Sequence, residues 1–407
     1  MREALMRAKS PEEFLACITV EDMEFDPYPI FARLREEAPV AFVPAINLTL
    51  VTRYRDVEYA GIHPEIFSAQ VDGSPVDETF GAPTIITIDG DIHTELRRSL
   101  DAKYRPREVR SYIDELVNPI CEELLNSLRG ASTAELMSEY FEPVSVRSLA
   151  AVLGVDDLKT DTLRDWFWRL HQGVINFEDN PERREIGQQV SIEISEKLSS
   201  KFDLLEAEPN DSTISHMLHN GMPDGVCRGR DLVMPTLKVI LLGGMQEPGH
   251  GSGSTMMGLL ENPEQLDALV GDLDGLINQT VEEGLRWIAP IGSQTRQVAQ
   301  SVTLGGVALE IGQAVAPMVS AANRDPEIFA NPDNFDIFRA KSSNAAFGFG
   351  PHFCAGHAFS RSQMRIAISR LLDRYPNISM STTTPPITRG WEFRAPRNLN
   401  VTLGIAQ

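Results

Sequence analysis

Apolar side chains recur every three or four residues at Val109, Ile113, Leu116, Val117, Ile120, Leu124 and Leu128. That spacing paints one face of an amphipathic helix over 108–128. The same criterion predicts a short helix over 30–37 and further helices at roughly 143–153, 163–174, 186–205, 263–270 and 276–287. Period-two stretches rich in β-branched residues and bounded by turn residues predict strands at 40–43, 48–52, 302–311 and around 315–319. From Asn377 onward the chain reads as strands and turns. The fold class expected is mainly α with a smaller β-rich region, the β-rich portions falling at about 38–53, 295–320 and 377–405. No linker, low-complexity tract or repeat interrupts the 407 residues, so they are expected to form one domain, 1–407.

Three stretches break the pattern. Residues 71–92 form a long Gly- and Pro-containing loop in which Phe80, Ile85 and Ile86 are apolar enough to line a cavity, or equally to anchor the loop in the core. Residues 232–260 begin as a buried helix, LVMPTLKVILLGG, and then place Pro248, Gly249, Gly251 and Gly253 where a helix wants good formers. Either the helix is opened beside a ligand, or two helices meet at a turn with Ser252 capping the second. Residues 322–339, ANRDPEIFANPDNFDIFR, are rich in Pro, Asn and Asp and have no period at all.

Composition narrows the function. A net charge of −21 argues against general affinity for nucleic acid or an anionic membrane, and neither a leader pattern nor a run of ~20 apolar residues is present. Cys17, Cys121, Cys227 and Cys354 follow no disulfide framework, which suits a reducing compartment, so a cytoplasmic protein is expected. Against this acidic background, residues 92–110 carry Arg97, Arg98, Lys103, Arg105, Arg107 and Arg110 against only Glu95, Asp101 and Glu108. His93 and Arg97 are four apart and share a helical face, where two donors could hold a carboxylate; the plainer reading is a solvated basic face. Glu283 and Arg286, three apart, would by themselves be an ordinary surface ion pair.

The chemistry-bearing stretch is 347–356, FGFGPHFCAG, followed at once by the helix-like run HAFSRSQMRIAISRLL. Glycines there let the backbone approach something flat beside Cys354. A zinc site would want a second Cys or His at short spacing, and only His352 and His357 are near. A dinucleotide loop needs a third glycine, whereas the order is Gly348, Gly350, Phe353. A buried, inert cysteine remains open on this loop alone.

Taken together, 347–356, the Glu283/Arg286 pair, the stretch 322–339 and the His93/Arg97 pair resemble, in order and spacing, the motifs of the cytochrome P-450 superfamily of haem-thiolate monooxygenases. The resemblance runs through most of the chain. It implies haem b (iron protoporphyrin IX) with Cys354 as the thiolate ligand to iron, held in a loop that includes Phe347, Gly348 and Gly356. It also implies that His93, Arg97, Arg296 and His352 contact the propionates, and that Glu283 and Arg286, with Arg339, form a buried scaffold.

One departure is informative. Most members carry an acid followed by threonine in the helix over the haem, whereas here Gly243, Gly244 and Met245 lead into Gln246, Glu247 and Pro248. This feature, together with 90–93, EPVSVRSL at 142–149, SHMLHNGMP at 215–223 and MQEPGHG at 245–251, is similar to a bacterial subfamily of aryl-ether O-demethylases acting on guaiacol-type methoxyphenols. That closer resemblance implies O2-dependent conversion of a methoxyphenol to a catechol and formaldehyde, with Glu247 and Gln246 in catalytic positions. It implies a pocket walled by Phe80, Ile86, Val174, Val239, Gly243, Ile291, Thr295 and Phe393. A guaiacol-type member carries a bulky aromatic where this chain has Val174, so tolerance of a 4-alkyl group is expected. Electrons would come from an NADH-dependent reductase with flavin and a [2Fe-2S] cluster, docking on a proximal basic face of Arg98, Lys103, Arg105, Arg107 and Arg361. Alternatives are hydroxylation of another small hydrophobic substrate, peroxide-driven turnover, and a haem-binding sensor.

Overall fold

The computed structural model describes residues 10–404; the two ends of the expected domain 1–407, and residue 405 at the close of the last β-rich stretch, lie outside the described residues. The helices, in chain order, are α1 Pro11–Cys17, α2 Val20–Phe25, α3 Tyr28–Glu37, α4 Tyr54–Ile62, α5 Pro75–Phe80, α6 Gly90–Tyr104, α7 Pro106–Ser127, α8 Glu142–Leu153, α9 Thr160–Val174 and α10 Pro181–Ala207. They continue with α11 Thr213–His219, α12 Arg230–Met245, α13 Glu247–Glu261, α14 Pro263–Gly271, α15 Leu273–Trp287, α16 Val319–Ala322 and α17 His357–Arg374. Helices dominate, as the apolar spacing predicts.

The β-rich portions at 38–53 and 295–320 join in one five-stranded sheet. Its order is β1 (Val40–Val43), β2 (Leu48–Val51), β8 (Ala314–Pro317), β5 (Arg296–Val298) and β3 (Phe67–Ser68), with β2 and β8 parallel and the other pairs antiparallel. A hairpin, β6 (Val302–Leu304) with β7 (Val307–Leu309), projects beside it. The C-terminal strand β12 (Asn400–Thr402) lies between β4 (Thr133–Glu135) and β9 (Ser379–Met380), antiparallel to both, and β10 (Thr388–Arg389) pairs with β11 (Ala395–Pro396). Strands of two or three residues, such as β3 and β4, are too short to display a period and escape sequence reading.

Two expectations change. The stretch 71–92 is not loop throughout: Ser74 caps α5, its hydroxyl accepting from the Val76 N–H at 3.2 Å, with Pro75 opening the helix. The stretch 232–260 is two helices, broken only at Gln246. Pro248 takes the second position of α13, where its missing N–H is no loss, and Ser252 lies inside that helix, its hydroxyl donating to the Pro248 carbonyl at 2.8 Å. The glycines of α13 serve close packing more than an opening. A Cβ on Gly249 would stand 2.8 Å from the Phe141 carbonyl oxygen, and one on Gly253 2.2 Å from the Met137 sulfur, so bare backbone lets the π-helical turn Met137–Phe141 lie against α13. From Glu247 to Leu260 every residue of α13 is buried, which makes it the axis around which α8, α15 and α17 pack.

Candidate active site

Gly348 and Gly350 adopt φ of +69° and +64°, a region L side chains disfavour, and a Cβ on Gly350 would come within 2.3 Å of the Gly61 carbonyl. The loop closes through the Cys354 N–H, which donates to the Phe347 carbonyl at 2.9 Å. Cys354 is thereby fixed just before α17, with the N–H groups of Gly356 and His357 directed at its sulfur. Burial pushes the Cys354 thiol up, while those N–H groups and the charges of Arg97 and Arg361 pull it back toward the thiolate. The sulfur side of Cys354 opens onto a cavity of about 340 Å³.

Phe347, Gly356, His93, Arg97, Arg296 and His352 line that same cavity. Gly348 does not; it shapes the loop, where a Cβ would collide with the Gln294 side chain. His93 and Arg97 project from α6, Arg296 from β5, and the His93 and His352 rings stand 4.2 Å apart. His93 Nε2 is buried with no partner inside the protein, and burial, reinforced by the neighbouring His352 and Arg97, lowers its pKa to about 4. Burial likewise lowers Arg296 to about 10. Such a cluster is held in a form that gains from anionic oxygen. One thiol facing an apolar cavity, with convergent donors for two carboxylates at its rim, fits a haem. Among the described residues no three His, Cys, Asp or Glu side chains gather as ligands for a bare metal ion.

Sequence reading missed Asp89, whose carboxylate accepts from Ser68 Oγ at 2.7 Å and the Ala69 N–H at 2.8 Å and lies 2.8 Å from His352 Nε2. Burial works to raise its pKa, but these partners outweigh it and hold the group at about 2. An Asp just ahead of a helix reads only as a cap, so nothing in the sequence separates this anchoring role from the ordinary one.

Glu247 and Pro248 line the same cavity where α12 breaks into α13. Both Glu247 carboxyl oxygens are buried without a hydrogen bond, and burial, aided by the nearby Glu142 charge, pushes its pKa up to about 8. Glu142 itself is held low: burial opposes ionisation, but His250, 3.6 Å away, and Arg164 prevail. Gln246, expected beside Glu247 in a catalytic position, is not on the cavity wall. It is fully buried, and its amide has no partner in the protein. At the helix break its side chain turns into the packing instead.

Phe80, Ile86, Val174, Val239, Gly243, Ile291, Thr295 and Phe393 all line the cavity. A Cβ on Gly243 would meet nothing within 4 Å, so α12 presents open space there. Ile86 is 41% exposed, at the edge of the loop before α6, whereas Val174, the last residue of α9, is buried. Ile291 and Phe393, a hundred residues apart, are joined by an isolated β-bridge.

Glu283 and Arg286 form no surface bridge. Arg286 Nε and Nη2 each donate at 2.7 Å to the Glu283 carboxylate, Arg339 Nε approaches it at 3.2 Å, and both members of the pair are almost wholly buried. The basic face is less free than its sequence suggests. Lys103 pairs with Asp211, Arg105 with Asp101 and Arg361 with Glu282, while Arg98 and Arg107 are exposed with no acidic partner among the described residues.

No helix among the described residues is long and apolar enough to cross a membrane. The family model for cytochrome P450 matches residues 275–401. Cytochrome P450 107B1 of Saccharopolyspora erythraea is 30% identical over 380 residues, covering 89% of this chain and 90% of that protein. The steroid C26-monooxygenase of Mycolicibacterium smegmatis is 28% identical over 360 residues, covering 88% of each. The crystal structure of P450BioI with a hexadec-9Z-enoic acid ligated acyl carrier protein superposes with a TM-score of 0.85 at 25% identity, covering 94% of this chain and 99% of that one. The helix-rich architecture with its small β region is thus the P450 fold, whose members bind haem b through a cysteine thiolate. By sequence and by fold, this chain belongs to the cytochrome P450 family.

Proposed function

We propose that this P450 monooxygenase O-demethylates a methoxyphenol, guaiacol or a 4-alkylguaiacol, to a catechol and formaldehyde. Cys354 holds the iron of haem b, and His93, Arg97, Arg296 and His352 hold its propionates by charge-assisted hydrogen bonds. Haem b bound there supplies the reductive activation of O2. One methoxy carbon is oxygenated, and the resulting hemiacetal splits, so methoxyphenol, O2, two electrons and two protons give catechol, formaldehyde and water. Phe80, Ile291 and Phe393 present apolar surface to a planar ring and keep bulk water from it. The electrons come from a partner reductase, NADH-dependent with flavin and [2Fe-2S], which meets the exposed cations Arg98 and Arg107 through complementary charge.

The observation that carries this reading is Glu247. In place of the family's threonine, the distal wall offers a buried carboxyl with a pKa near 8, protonated at neutral pH and able to give up a proton at the site. Glu247→Gln is therefore expected to cut product formed per NADH consumed by roughly an order of magnitude, with peroxide release rising. Unchanged coupling sinks the proton role.

The substrate is tested by formaldehyde release with reductase, NADH and O2. Because Val174 leaves room beside the ring, 4-propylguaiacol is expected to exceed guaiacol in kcat/KM by roughly tenfold, the worth of filled apolar space. A clear preference for guaiacol refutes the 4-alkyl assignment, and no formaldehyde from either refutes the demethylase.

A further inference from the structure

The cavity has a second polar feature outside the distal helix and the propionate cluster. Ser293 and Glu392 both line it, at 5% and 8% exposure, one just before β5 and the other in the C-terminal β-rich region. They are brought together by a short backbone zipper. The Gly292 N–H donates to the Glu392 carbonyl at 2.6 Å, the Arg394 N–H donates to the Pro290 carbonyl at 2.9 Å, and Ile291 bridges Phe393 between them. A Cβ on Gly292 would stand 2.0 Å from the Trp391 carbonyl oxygen, so the approach depends on glycine at that position.

Within this fixed frame, Ser293 Oγ and Glu392 Oε2 are buried and have no hydrogen bond inside the protein. The Ser293 hydroxyl and N–H lie close enough to favour the Glu392 carboxylate, yet burial wins and raises the carboxyl to about 7. A hydroxyl and a carboxyl poised between its two forms can donate or accept as a partner requires. Leaving both unmatched against an apolar wall is unfavourable, and a fold that locks them there by a glycine-dependent contact holds them for a group that is not its own. Ile291 and Phe393, which flank them, line the cavity and are the side chains that the reading above sets against the substrate ring.

We propose that Ser293 and Glu392 form the polar subsite that seats the substrate's hydroxyl, fixing the ring so that the neighbouring methoxy group is presented for oxygenation. The assignment of that hydroxyl to a phenol rests on the methoxyphenol reading above; the subsite itself rests on the two side chains. It makes Ser293 and Glu392 specificity-determining residues, selecting a hydroxylated ring over the same ring without the hydroxyl.

Ligand-induced shifts of the haem absorbance, titrated with guaiacol and with anisole, test this without turnover. The wild-type protein is expected to bind guaiacol about tenfold more tightly than anisole, Glu392→Leu to narrow the ratio below about threefold while anisole still binds, and Glu392→Gln to keep most of it. Should Glu392→Leu fail to hold haem, Ser293→Ala decides, with a narrowing of the ratio by at least about threefold expected. A ratio unchanged in these variants overturns the subsite, as does a wild-type protein that binds neither ring. A wild-type protein that discriminates between the rings but releases no formaldehyde keeps the subsite and refutes the demethylase.

Discussion

Arg286→Ala is expected to leave little folded holo-protein. Arg286 does more than pair with Glu283: its Nη1 donates to the carbonyls of Asn323 at 3.0 Å and Pro332 at 2.7 Å, and its Nη2 to that of Asn334 at 2.9 Å. One side chain thus organises the irregular stretch 322–339 that leads into the Cys354 loop. Removing one partner of a buried ion pair costs about 3–5 kcal/mol, because the remaining charge stays buried, and each orphaned carbonyl adds about 1–3 kcal/mol. Arg339 offsets part of this by its own contact with Glu283. The sum still competes with a whole protein's stability of about 5–15 kcal/mol. Urea denaturation of the holo-protein should show a loss of at least about 4 kcal/mol, or no cooperative transition. Arg286→Lys should recover only part, since an ammonium cannot span both carboxylate oxygens and three carbonyls. A midpoint for Arg286→Ala close to wild type would mean that 322–339 holds its own shape.

That pair also marks where sequence reading stops. Glu283 and Arg286 sit three apart on a helix whose period is plain, but their burial is produced by 322–339 wrapping over them, and a stretch without period says nothing of what it covers. The helices were legible because each buries one apolar stripe. The Cys354 loop was legible because its glycines answer to backbone constraints that survive in sequence. Glu247 was visible as a broken motif, yet adjacency misled at Gln246, since a one-residue helix break sends neighbouring side chains in different directions. Ser293 and Glu392 left no local signal. Their meeting is made by backbone pairing between segments a hundred residues apart, and each alone is an unremarkable polar residue. The basic run at 92–110 shows the converse: its charges are real, but Arg105 turns back on Asp101 within the run, and the fold brings Asp211 to Lys103 from a place the run does not reveal.

Glu247→Gln is expected to stabilise the protein as pH rises, even while it damages coupling. The Glu247 carboxyl has a pKa of about 8 in the folded chain against 4.5 for the unperturbed group, with burial as the main cause and Glu142 adding to it. Below pH 4.5 both folded and unfolded chains hold the proton, so the group contributes nothing to the difference. Between pH 4.5 and 8 the unfolded chain has released the proton and the folded chain has not, so stability falls as pH rises and the loss levels off above pH 8. At pH 7 the penalty is about 3 kcal/mol, taking 1.36 kcal/mol per unit. Glutamine cannot ionise, so the advantage of the variant should be near zero at pH 4.5 and grow toward pH 8. Thermal or urea unfolding of both proteins across that range measures it, and an offset that does not change with pH would place the acid in water. Opposite signs for stability and coupling at one side chain are what a functional strain predicts: a residue kept only for packing would gain in one without losing in the other. The helix break at Gln246 sets that strain, holding an acid on a dry cavity wall where a threonine would titrate nothing.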